Sequence, residues 1–64
     1  MKRGDLVRHL RASGCVILRE GGAHTVWVGP DGTRESAVPR HSEIKNVVVR
    51  KICRDFGIAM PQRG

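Results

Sequence analysis

Aromatic side chains are nearly absent from this chain: one Trp, one Phe and no Tyr in 64 residues. Platforms for single-stranded nucleic acid stack successive bases on several rings, so with Trp27 and Phe56 as the aromatics recognition by shape and backbone is expected, Trp27 either stacking on a base or packing the core. Cysteine is scarce too. Cys15 and Cys53 each lie in an apolar run, too few and too badly spaced for a secreted disulfide framework, which points to a reducing, cytoplasmic setting. With His9, His24 and His41 they are the candidate metal ligands, yet no CxxC or HxxxH pair sets two of them at zinc spacing, so no metal and no cofactor is expected. Long apolar runs are missing as well. Nothing approaches the ~20 residues of a spanning helix, and Met1-Lys2-Arg3-Gly4-Asp5 opens on charge instead of the apolar stretch of a signal peptide, so no membrane role is expected.

Acidic residues are outnumbered: six Asp and Glu stand against twelve Lys and Arg, for a net charge of +6 with His neutral. A charge of that sign on so small a chain is the electrostatic footprint of a phosphate-binding domain. The length allows one domain, since a chain this short buries only about 60% of the surface its unfolded form exposes. A thin core encloses no deep cavity, so chemistry must sit on an open surface and act on a substrate that brings its own bulk. A polymer fits that better than a metabolite.

Along the chain, Asp5 is placed to cap a first helix running to about Ser13, with Leu6, Val7 and Leu10 on one stripe and Gly14 as its stop. Cys15 to Arg19 is a short β-branched run. Gly21-Gly22 then reads as a turn and Thr25 to Val28 as a second strand, and the Gly29-Pro30-Asp31-Gly32 turn leads to a third around Thr33 to Val38, ended by Pro39. Val49, Ile52, Cys53 and Phe56 recur at i, i+3, i+4 and i+7, the clearest helical stripe, closed by Gly57. Asn46 is placed to cap this helix, while Ser42 is placed to cap an earlier turn. The order is αβββα, an α+β fold with a three-stranded antiparallel sheet, both helices on one face and the other face open. The domain is expected over residues 1–59, with 60–64 a flexible tail.

Histidine is the side chain best suited to take and return a proton near neutral pH. His9 falls inside the first helix as an ordinary residue, and His41 follows Pro39-Arg40 in a loop, where it can orient that loop or contact RNA. His24 enters a strand directly after Gly21-Gly22-Ala23, where small residues let a backbone pass close. Arg19, Arg34 and Arg40 flank the strands and, with Lys45, are candidate phosphate contacts. Arg50 and Arg54, with Lys51 beside them, form a basic helical face.

The combined pattern resembles the HicA family of toxins, the mRNA-interferase halves of toxin–antitoxin pairs. The resemblance runs from the opening helix ending in Ser13-Gly14, through Gly22-Ala23-His24-Thr25-Val26-Trp27, where the family shows Gly-Ser-His followed by an aromatic residue. It continues through Pro30-Asp31-Gly32 and Val38-Pro39-Arg40-His41 before Glu43-Ile44-Lys45, and closes on Arg50, Ile52, Gly57 and Ile58. It implies a double-stranded-RNA-binding-like αβββα fold, an endoribonuclease acting on mRNA, His24 as the metal-independent general acid and base, and a HicB-like antitoxin that covers the site. Ala23 replaces the family's usual Ser, and Thr25 stands where a second His is common. The Thr25 hydroxyl and His41 are therefore the candidate helpers of His24. Asn46-Val47 stands where the family often shows Pro-Gly. The competing readings are a non-catalytic double-stranded-RNA-binding-like module and a DNA-binding regulator with one helix in a groove; a helix-turn-helix is not expected because no short Gly-containing turn joins two adjacent helices.

Overall fold

The computed structural model describes residues 1–61, with α1 at Arg3–Ala12, β1 at Val16–Glu20, β2 at His24–Val28, β3 at Glu35–Pro39 and α2 at Asn46–Phe56. The strands form one antiparallel sheet in the order β1-β2-β3. This is the expected αβββα, α+β arrangement. The stripe Val49, Ile52, Cys53 and Phe56 is buried along with Leu6 and Leu10 of α1, and these meet Thr25, Trp27, Ser36 and Val38 of the sheet. Those strand residues share one face by register, since Trp27 lies opposite Ser36 and Thr25 opposite Val38. Their alternates, among them His24, Val26, Val28 and Ala37, look out from the uncovered face.

Helix α1 starts at Arg3, not at Asp5, and its N-cap Lys2 makes no side-chain capping bond. The reason is long-range: the Arg3 N–H donates to the Ser42 carbonyl at 2.9 Å and Ile44 N–H to the Met1 carbonyl at 2.7 Å, so the segment before α2 holds the first turn and no Asp cap is needed. Asp5 instead lies in the first turn, where its charge suits the helix N-terminus. Asn46 likewise is not a cap but the first residue of α2, behind Lys45. Both helices close as expected on left-handed glycines. Gly14 has φ 94° and Gly57 φ 70°, and bonds from Cys15 N–H to Leu10 and from Ile58 N–H to Cys53 complete the same C-terminal motif twice. Ala at position 57 is expected to cost about 1–2 kcal/mol from the forced left-handed backbone, a drop of several degrees in melting temperature by calorimetry.

The first hairpin turns one residue later than Gly21-Gly22. Gly21 N–H donates to the His24 carbonyl at 2.8 Å, so Gly22 and Ala23 are the two loop residues and β2 begins at His24 itself. β1 carries a bulge at Leu18, between Ile17 opposite Trp27 and Arg19 opposite Val26. All of β1 is exposed, including Val16, Ile17 and Leu18, because the helices cover β2 and β3 and stop short of that edge.

Two polar groups anchor the core's rim. The buried Ser36 hydroxyl donates to Asp55 Oδ2 at 3.1 Å, and Lys51 Nζ does so at 2.9 Å. The Lys51 hydrogen bond holds the Asp55 carboxyl below its ordinary value of 3.8, with Ser36 adding to it. A carboxyl whose pKa is depressed on folding stabilises the fold above its unfolded value and loses that contribution as pH falls through the folded one. Asp55→Ala is expected to cost about 1 kcal/mol near pH 7, chiefly from the stranded Ser36 hydroxyl, and to lessen the loss of stability below about pH 4 in urea titrations. His9 Nε2 donates to the Ala59 carbonyl at 2.8 Å, tying the chain after α2 back to α1. Met60 and Pro61 border a groove between the helices, and positions 62–64 of the expected tail lie outside the described residues.

Candidate active site

His24 is the first residue of the central strand, and its side chain stands on the open face of the sheet. The exposed ring makes no hydrogen bond among the described residues. A histidine kept for structure is normally buried or bonded. Its backbone, by contrast, is fixed: the carbonyl accepts from Gly21, and Pro39 lies directly across on β3. Arg40 N–H donates to the Ala23 carbonyl at 3.2 Å. That makes the neighbouring His24 and Pro39 a non-hydrogen-bonded pair, in which side chains approach most closely and in which proline removes no ladder bond.

Arg19 lies opposite Val26 on the same open face, which makes it the diagonal neighbour of His24 at roughly 7–8 Å between Cα atoms, within reach of a long side chain. Arg40 closes the same end of the sheet. Its Nη1 donates to the Gly21 carbonyl at 3.0 Å and pairs with Glu20 at 3.4 Å. His41 and Lys45 follow in the segment leading to α2, where both are exposed and border a shallow depression with Pro39 and Val48. His24, Arg19 and Arg40 are thus grouped at one end of the sheet, with His41 and Lys45 on the adjoining segment.

Two candidates are not brought to that end. Arg34 lies beyond the far end of β2, paired with Asp31 at 3.5 Å and packed near Gly57. Thr25 points the opposite way from His24, 1% exposed, with its hydroxyl accepting from Arg3 Nη2 at 3.4 Å. Strand alternation accounts for this: the residue after an outward His must face inward. Trp27 belongs to the core, with the Arg11 guanidinium 5.3 Å from its ring centre, so no aromatic ring is offered to a base. Burial pushes the Cys53 thiol up, and burial followed by the proximity of Cys53 does the same to Cys15, so neither supplies a thiolate near pH 7. Arg3, which the sequence marked only as part of a charged start, proves to be half-buried and bonded to both strands that carry the His24 end.

Residues 3–58 match the family model described as the HicA toxin of bacterial toxin–antitoxin systems. The chain belongs to the HicA toxin family. No curated protein and no solved structure matches it. As a HicA-family member it has the role of a toxin whose counterpart is an antitoxin partner. The match takes in the whole αβββα unit, from the first residue of α1 to just past Gly57, so the His24 end of the sheet lies within the HicA region. Among the described residues no helix of this HicA-family chain is long and apolar enough to cross a membrane.

Proposed function

We propose that this toxin is an endoribonuclease, an mRNA interferase of the cytoplasm, with His24 as its acid–base group. The observation that carries the reading is the exposed, unbonded His24 ring on the open sheet face, held on a rigid strand end beside Arg19 and Arg40. An unpaired ring nitrogen accepts the proton of an RNA 2′-hydroxyl while O2′ attacks the adjacent phosphorus. The P–O5′ bond then breaks, and the departing 5′-oxygen takes a proton back from the ring. Negative charge on the phosphoryl oxygens rises as O2′ adds, and Arg19 and Arg40 are the guanidinium groups placed to offset it. No cofactor enters this scheme. Lys45 extends the cationic rim along the RNA with His41 as a polar contact beside it, Arg34 lies too far along the hairpin to share in the cleavage step, and Thr25 serves the fold.

Charge and surface also support the partner reading. Among the described residues each carboxylate except Glu35 already has a cation, while Arg19, Lys45, Arg50 and Arg54 have no acidic partner. An acidic HicB-like antitoxin seated on the open face covers Val26, Val28 and Ala37 together with His24. The rival reading, a non-catalytic RNA-binding module, gives His24 a structural task, and the unbonded ring supports the catalytic reading over it.

The scheme is tested on the products. Incubation of the purified chain with RNA in the presence of a chelator is expected to yield fragments ending in 2′,3′-cyclic phosphate and 5′-hydroxyl groups. Products with 5′-phosphates would contradict attack by the 2′-oxygen.

A further inference from the structure

We propose that Arg3 is a positioning residue for His24: reaching from α1 under the sheet, it locks together the two strand ends that hold the ring on the opposite face. The inference rests on the acid–base reading of His24. Arg3 Nε donates to the Pro39 carbonyl at 3.2 Å and Nη2 to Thr25 Oγ1 at 3.4 Å, while its backbone N–H donates to Ser42. Thr25 is the residue after His24, and Pro39 is the residue across from it. One guanidinium therefore grips both strands immediately around the ring-bearing position.

The grip matters because of where the ladder lacks bonds. His24 and Pro39 form a non-hydrogen-bonded pair, so β2 and β3 exchange no backbone bond at that position, and the Pro39 carbonyl is directed away from β2. Arg3 supplies its partner. Beyond that point the strands are joined by the Arg40 to Ala23 bond at 3.2 Å. The His24 ring has no hydrogen bond of its own among the described residues, so its place relative to Arg19 and Arg40 is set by its backbone alone. A shift of the strand end moves the ring against the phosphate. Arg3 has no carboxylate partner among the described residues, which leaves its planar fork to the two strands.

The test uses the full chain with Arg3→Met, Arg3→Lys and Thr25→Val, each checked for folding by far-UV circular dichroism. RNA cleavage is read as kcat and KM, and the His24 ring is followed by its 1H–13C NMR signals. Arg3→Met is expected to lower kcat by about 10- to 100-fold with KM changed less than about twofold, the pattern of a misplaced group. The His24 ring signals are expected to shift or broaden. Arg3→Lys retains the charge without the fork and is expected to recover little; Thr25→Val, which removes the β2 contact, is expected to fall between wild type and Arg3→Met. A folded Arg3→Met with unchanged kcat overturns the proposal, as does a loss confined to KM, which marks Arg3 as a phosphate contact. If Arg3→Met does not fold, Arg3→Lys and Thr25→Val decide, and wild-type kcat in both overturns it. His24→Ala serves as the control on the underlying reading: if it cleaves normally, that reading fails, while the His24 ring signals in the Arg3 variants still report whether Arg3 places the ring.

Discussion

His24→Ala is expected to abolish growth arrest on expression and to cut RNA cleavage by about 10²- to 10⁴-fold, the contribution typical of one positioned acid–base side chain. The fold is expected to survive. The ring is exposed and makes no hydrogen bond among the described residues, and the backbone bonds that fix this strand end, Gly21 N–H to the His24 carbonyl and Arg40 N–H to the Ala23 carbonyl, do not depend on the identity of the His24 side chain. Surface substitutions of that kind usually move stability by less than about 0.5 kcal/mol. Melting curves of wild type and variant should therefore overlay while the activities part. His24→Gln keeps a polar group of similar reach but cannot cycle a proton at neutral pH, and it should be as inactive as the alanine variant. Activity in His24→Gln alone would move the role of His24 from proton transfer to hydrogen bonding.

The second large effect concerns the core. Trp27 is fully buried in the central strand, between the helices and beneath the Arg11 guanidinium. Trp27→Ala removes the largest buried side chain and is expected to cost about 3–5 kcal/mol. A single core in a domain of this size rarely supplies more than about 3–5 kcal/mol of net stability, so the variant is expected to be largely unfolded at 25 °C. Trp27→Phe should cost much less. Nε1 of Trp27 is the one buried side-chain polar atom without a hydrogen-bond partner among the described residues, so its loss removes an unpaid desolvation and partly offsets the smaller ring. Urea titrations by circular dichroism check both. A cooperative Trp27→Ala transition at wild-type midpoint would mean that the core does not depend on this ring.

The features legible in the sequence were those written in local patterns. The stripe Val49, Ile52, Cys53 and Phe56 is buried along its length, and Gly14 and Gly57 end their helices because a left-handed residue is a local demand. What the sequence hid depends on distant partners. Asp5 reads as a cap only until Ser42, remote in sequence, is seen to satisfy the first N–H of α1. Val16, Ile17 and Leu18 form an apolar run in the sequence, yet all three are exposed on the edge strand β1. The placing of Thr25 was within reach: Trp27 must face the core, and parity puts Thr25 with it and His24 opposite, once the strand is known to begin at His24. Arg34 was separable too, since Asp31 three residues before it offers an ion pair at the turn. Arg3 was not, because nothing near it in sequence announces Pro39 and Thr25 as its acceptors.

The most direct measurement is a quantitative comparison of RNA cleavage by wild type and His24→Ala at matched folding, with the chemical ends of the products identified in the presence of a chelator. Cyclic phosphate ends from wild type and at least about 100-fold slower cleavage by His24→Ala are the predicted result. Equal cleavage by the two proteins, or no RNA cleavage by a folded, growth-arresting wild type, would contradict it.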